Sequence, residues 1–156
     1  MARRRTVTEL RPLREGDVPS LARWLPRAAS ELGCDIWASE EALRWAVARE
    51  GVLVVEEGGP LGLLAYEVGA PQPGAACIRL LIVEPTHRRL GVGSRAALAL
   101  EERLAGSAER CYVSVPSRLG LAFYFWLRLG YQPLTQREWP APSGEKPSVW
   151  MVRPLA

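Results

Sequence analysis

The stretch from Cys77 to Leu104 most constrains what this chain can fold into. Cys77 to Val83 is an apolar run broken only by Arg79, and it reads as a strand. Ser94 to Leu104 reads as a helix. Between them lies Arg88-Arg89-Leu90-Gly91-Val92-Gly93, so a strand runs into a glycine turn that opens a helix. The first helical turn leaves backbone N–H groups without partners, and the helix dipole is positive at that end. Glycines remove the Cβ atoms that would hold an anion away from those groups. The segment therefore reads as a cradle for a diphosphate, with Arg88, Arg89 and Arg95 adding positive charge nearby. No Gly-Lys-Ser/Thr follows, which excludes a Walker loop. A third glycine and a later ribose-binding acid are missing, which excludes the dinucleotide fingerprint. The plain alternative is a strand-to-helix turn with solvated arginines.

Composition bounds what surrounds this loop. At 156 residues, 48% of them hydrophobic, the chain fits one globular domain with a full core, spanning 1–156 with a basic arm over 1–5. No apolar stretch approaches membrane-spanning length. The residues behind the Arg3-Arg4-Arg5 arm do not form a signal-peptide core, so the expectation is a cytoplasmic protein without membrane partners. Cys34, Cys77 and Cys111 are odd in number and lack ligand spacing, and they read as reduced thiols. His87 is the only histidine, which excludes a multi-histidine metal site; no metal is expected. The net charge of +3 suits a phosphate-rich ligand. Nucleic acid is a weak candidate partner, because only Arg3-Arg4-Arg5 forms a basic run and no recognition motif accompanies it.

The order of elements reads β-α-α-β-β-β-α-β-α-β-β, a mixed α/β sheet with helices against it. Thr6 to Leu13 reads as a strand, and a helical pattern from Gly16 ends near Pro26. A less regular piece covers Ala28 to Leu32. Ser39 caps a helix through Arg49. Val52 to Glu57 and Leu61 to Val68 flank Gly58-Gly59-Pro60 as strand, turn and strand. Cys111 to Val115 is a strand, and Gly120 to Leu129 is a helix closed by Gly130. Tyr131 to Glu138 and Ser148 to Pro154 read as final strands joined by a Pro/Gly loop.

Val83-x-Pro85 followed by Arg88-x-x-Gly91-x-Gly93 resembles the acyl-CoA pyrophosphate loop of the GNAT family of N-acetyltransferases. The opening Thr8 to Asp17, the late Leu121 to Tyr131 and the element order resemble the same family from end to end. The resemblance implies the GNAT fold, acetyl-CoA as cosubstrate and an amine acceptor on a small molecule or a peptide. It implies that the pantetheine arm pairs with the backbone of Leu81, Ile82 and Val83. It places the diphosphate on Arg88, Arg89, Leu90, Gly91, Val92, Gly93 and Ser94. A homodimer is compatible with it.

The family's proton-handling positions depart from the pattern. The place of the usual acid Tyr, four residues after Ala122 and four before Gly130, holds Trp126. An indole N–H donates a hydrogen bond but is not an acid near neutral pH. By this alignment Trp126 walls the thioester. A usual Asn position holds Leu119, and the usual strand carboxylate positions hold Arg79 and Leu80. Glu67 and Glu84, then Glu31 and Asp35, remain as proton acceptors, with water as the alternative. Trp37 and Trp139 stand outside clear helical patterns, as core packing or as walls of an acceptor cleft. A non-catalytic acyl-CoA sensor is the competing function.

Overall fold

The computed structural model describes residues 7–88, 90–141 and 147–155. The basic arm at 1–5, Arg89 and the middle of the final Pro/Gly loop lie outside the described residues. Strands β1 (Glu9–Pro12), β2 (Val52–Glu56), β3 (Pro60–Val68), β4 (Ala75–Val83), β5 (Arg110–Pro116), β6 (Gln132–Pro133) and β7 (Ser148–Pro154) form one seven-stranded sheet in the order β1-β2-β3-β4-β5-β7-β6. The helices are α1 (Val18–Ala22), α2 (Leu25–Glu31), α3 (Glu40–Ala46), α4 (Val92–Leu104) and α5 (Gly120–Arg128). The sheet is mixed, as the order of elements predicts, and it is mostly antiparallel. The chain divides into two compact units, one of residues 1–64 and 80–100, the other of residues 65–79 and 101–156.

In the first unit β1 pairs antiparallel with β2, Leu10 opposite Val55 and Arg11 opposite Val54. Leu13, Val18, Leu21, Leu25, Leu43, Val54, Val55, Leu63, Leu64, Ile82 and Ala96 are buried there. Three α-helices, not two, lie between β1 and β2. Pro26 does not end a helix; it sits in the first turn of α2, where a missing N–H costs nothing. Ser39 caps α3 as expected, its Oγ accepting from Ala42 N at 3.1 Å. That helix stops at Ala46 rather than Arg49. Ala48 there takes a positive φ of 59° and donates its N–H to Leu13 O at 3.0 Å, a tertiary bond that outcompetes the helical continuation. Among the described residues the strand before α1 is Glu9–Pro12, so Val7, Thr8 and Leu13 of the expected Thr6 to Leu13 strand fall outside it, and Thr6 lies outside the described residues.

The backbones of β3 and β4 come close at Gly62. A Cβ at that glycine would stand 2.5 Å from Ile82 O. Beyond β4, Glu84 N donates to Leu61 O at 2.8 Å, so the strand end entering the glycine loop is held by β3.

In the second unit β4 and β5 are parallel, from Ala75 opposite Arg110 to Ile78 opposite Val113. β5 and β7 are antiparallel from Arg110 opposite Pro154 to Pro116 opposite Ser148. Ala70, Ala75, Cys77, Tyr112 and Trp150 form a buried cluster. The strand expected over Tyr131 to Glu138 shrinks to Gln132–Pro133. Gln136–Glu138 turn instead into a 3-10 helix, where the Glu138 carboxylate accepts from both Thr135 N and Thr135 Oγ1. That local capping box withdraws the segment from the ladder.

Candidate active site

The glycine loop has the geometry its sequence implies. Pro85–His87 form a 3-10 turn after β4, and α4 begins at Val92. Gly91 has φ of +81°, a left-handed conformation that a side chain strains. Gly91 O accepts the N–H of Arg95 at 3.0 Å, which makes Gly91 the residue that caps α4. The N–H groups of Gly91, Val92, Gly93 and Ser94 thus have no partner within the helix. Four such donors at the positive end of a 13-residue helix fit an anion such as a diphosphate.

The charges around the loop are arranged differently from the sequence expectation. Arg95 does not offer a free cation. Its Nη2 meets Glu57 Oε1 at 2.7 Å and Oε2 at 3.0 Å. Its Nε reaches Thr8 Oγ1 at 3.2 Å, and its Nη1 donates to Leu90 O at 3.1 Å. Thr8 in turn donates its hydroxyl to Glu57 Oε2 at 2.7 Å. Burial pushes the Glu57 carboxyl up, but Thr8, Arg95 and the more distant His87 outweigh it and hold it below the ordinary carboxylate range. Arg88 is exposed and folds back, its Nε donating to Val83 O at 3.2 Å. Glu57 and Thr8 were not legible as site residues, because nothing near them in sequence marks the loop as their partner.

Among the other expected residues, Ile82 and Val92 are buried, while Leu81, Val83, Gly93 and Ser94 are half-buried and Leu90 is exposed. Leu81–Val83 follow the four parallel pairs that end at Ile78. Glu84 faces His87, with Oε2 3.4 Å from Nδ1. Glu67 is exposed and paired with Arg79 at 2.9 Å. Glu31 pairs with Arg27 at 3.6 Å, and Asp35, itself exposed, opens a 3-10 turn. Trp37 is buried. Trp139 packs against the Tyr112–Trp150 cluster and donates its indole N–H to Leu134 O at 3.2 Å. Packing accounts for both tryptophans.

Trp126 belongs to the second unit and is buried. It packs edge to face on Tyr131 and on Phe125. Tyr131 donates its hydroxyl to Glu101 Oε1 at 2.7 Å, and Arg153 Nη1 lies 3.2 Å from Glu101 Oε2. Burial, with Cys111 and Glu101 beside it, drives the Tyr131 phenol far above its ordinary pKa, so it stays protonated. The described residues contain no group of three or more His, Cys, Asp or Glu able to hold a metal. None of their helices is long and apolar enough to cross a membrane.

The mixed seven-stranded sheet, with a strand, a glycine turn and α4 in succession, matches the acyl-CoA N-acyltransferase fold. The model of the Acetyltransferase (GNAT) family matches residues 18–131, and the chain belongs to that family. It is an acetyltransferase, and the family uses acetyl-CoA. In structure it is similar to an acetyltransferase from Thermus thermophilus, with a TM-score of 0.76, 23% identity, and 96% of this chain and 97% of that one covered. N-acetylglutamate synthase from Neisseria gonorrhoeae, solved with coenzyme A and N-acetyl-glutamate, has a TM-score of 0.72 and 24% identity over 96% of this chain and 35% of its own. The ribosomal-protein-S18-alanine N-acetyltransferase from Escherichia coli has a TM-score of 0.69 and 17% identity, over 96% and 95% of the two chains. These likenesses concern the fold. No curated protein matches the chain in sequence.

Proposed function

We propose that this chain moves the acetyl group of acetyl-CoA to a primary amine of a small molecule or a peptide, and that the glycine loop holds the donor. The observation that carries this reading is the start of α4 behind Gly91, where the N–H groups of Gly91 to Ser94 make no bond within the helix. Acetyl-CoA supplies a thioester whose carbonyl carbon is the electrophile. Leu81 to Val83 offer main-chain groups to the pantetheine arm. Gly91, Val92, Gly93 and Ser94 offer N–H donors to the diphosphate. Binding at both ends holds the thioester for attack, and such positioning supplies about 7–11 kcal/mol of a barrier in favourable cases.

The incoming amine must lose a proton. Glu84 is the better placed of the two carboxylates, because it adjoins the loop and the ion pair described for it is with His87, whose charge depends on its protonation. Glu67 already neutralises Arg79. Water takes the proton if neither does, at a cost of about 10²–10⁴ in rate. Reduced, odd-numbered cysteines support a cytoplasmic setting.

The test is release of free thiol from acetyl-CoA in the presence of amines, peptides and polyamines, with Gly91→Asp as control. Turnover that requires an acceptor and disappears in the control supports the reading. Acetyl-CoA binding without turnover on any acceptor makes the chain an acyl-CoA sensor. Unaltered binding by Gly91→Asp removes the loop from the site.

A further inference from the structure

We infer that Arg95, anchored by Glu57 and Thr8, is a positioning residue that fixes the orientation of the Leu90–Gly91 peptide and so aims the Gly91 N–H into the anion cradle. The inference rests on the reading of the loop as the diphosphate site. The Arg95 guanidinium spends its donors inward: Nη2 on both Glu57 oxygens, Nε on Thr8 Oγ1, and Nη1 on Leu90 O. Leu90 O belongs to the same peptide unit as the Gly91 N–H. That peptide is trans, since the one cis bond described is Ala70-Pro71. In a trans peptide the C=O and the N–H point in opposite directions. Holding Leu90 O toward Arg95 therefore turns the Gly91 N–H away from it.

A peptide next to a residue with positive φ is the one most able to flip in a glycine turn, because glycine accepts both signs of φ. Arg95 removes that freedom. The fork geometry of a guanidinium suits the task, since it can grip a carboxylate with one edge while a third nitrogen reaches a carbonyl. The Glu57 side chain is only 11% exposed, so the carboxylate end of the anchor is sheltered, while the Arg95 side chain is 42% exposed. Gly91 also makes room for the device: a Cβ there would stand 2.7 Å from Arg95 Nη1.

The competing role for Arg95 is direct attraction of phosphate, and Glu57 separates the two by sign. Removing the Glu57 charge frees Arg95 for a phosphate and tightens binding if the attraction is direct. It loosens the anchor and weakens binding if Arg95 positions the peptide. The experiment is calorimetric acetyl-CoA binding by the full chain as wild type, Arg95→Met, Arg95→Lys and Glu57→Gln, with thermal melting as the check on folding. Nitrogen relaxation of the Gly91 amide in the unliganded chain provides a second readout.

The expected result is that Arg95→Met and Glu57→Gln each weaken binding about tenfold, the size of one net hydrogen bond. Arg95→Lys, which cannot grip all three partners, falls between wild type and Arg95→Met. The Gly91 amide order parameter drops from the rigid range near 0.85 toward about 0.6 in both weakened variants. Tighter binding by Glu57→Gln, or unchanged binding and unchanged Gly91 mobility in folded Arg95→Met, overturns the inference. Should wild type fail to bind acetyl-CoA, the acetyl-transfer reading of the loop falls. The unliganded Gly91 mobility then still decides whether Arg95 holds the peptide.

Discussion

Trp126 and Tyr131 meet edge to face, with ring centroids 4.9 Å apart and planes at 69°. The contact follows from how α5 ends. Gly130 N donates to Leu127 O at 3.0 Å and Tyr131 N to Trp126 O at 3.0 Å. Gly130 takes φ of +97°. These are the two bonds of a Schellman motif, which brings the residue after the glycine against the residue five before it. Glu101 then holds the Tyr131 hydroxyl, so the indole stands on a fixed base.

Substitutions at Trp126 separate packing from chemistry. Trp126→Ala opens a cavity beside Tyr131 and should cost about 3–5 kcal/mol of stability, read by denaturant unfolding. Trp126→Phe should fold and keep most turnover. Trp126→Tyr restores a phenol where the family resemblance implies an acid, and turnover should hold or rise modestly when thiolate departure limits the rate. Measuring kcat across pH with one confirmed acceptor checks this. A folded, acetyl-CoA-binding Trp126→Phe without turnover would give the indole N–H a role of its own.

Gly130→Ala should lower stability by about 1–2 kcal/mol, from the left-handed backbone alone. The site has space, since the nearest atom to a Cβ there is Arg153 Nε at 3.7 Å. A drop in melting temperature with the near-ultraviolet tryptophan signal retained is the expected pattern; loss of that signal would mean that Trp126 is displaced as well.

Stability should fall on the acid side. Arg11 grips both Asp17 oxygens at 2.7 Å, and its hydrogen bonds lower the Asp17 pKa against the opposing effect of burial. Glu57 is lowered as well. A carboxylate depressed in the folded state contributes fully above its unfolded pKa, about 3.9 for Asp and 4.3 for Glu. That contribution is lost as pH falls through the folded value. Melting temperature should therefore be level near neutrality and decline below about pH 4. Asp17→Asn should be less stable at neutral pH and show a shallower acid decline. A wild-type curve flat down to about pH 2 would contradict the assignment.

The cysteines should differ in reactivity. Burial pushes the Cys77 thiol up to about 11 and the Cys111 thiol up to about 12, and both are buried. Neither should alkylate in the folded chain at neutral pH, because the thiolate is the reacting form. Cys34 is only half-buried and should label first. Mass spectrometry after brief iodoacetamide treatment should find one modified residue; early labelling of Cys111 would mean that the second unit opens locally.

What the sequence determined by itself is what local hydrogen bonding and periodicity write along the chain. The strand from Cys77, the Gly91 turn, helix α4 and the Gly130 stop are each specified by residues within a few positions of one another. The backbone N–H groups at the start of α4, which the proposed diphosphate site uses, are local in the same way. Tertiary structure decided the remainder. It ended α3 at Ala46 through a bond from Ala48 to Leu13, and it placed Pro26 inside a helix rather than after one. It also gave Arg95 its partners. Glu57 lies 38 residues before Arg95 and Thr8 lies 87 before it. A guanidinium in a basic loop reads as a phosphate ligand until the fold brings a sheltered carboxylate against it. No local pattern encodes that meeting, because it depends on which strand ends the sheet sets beside the start of α4.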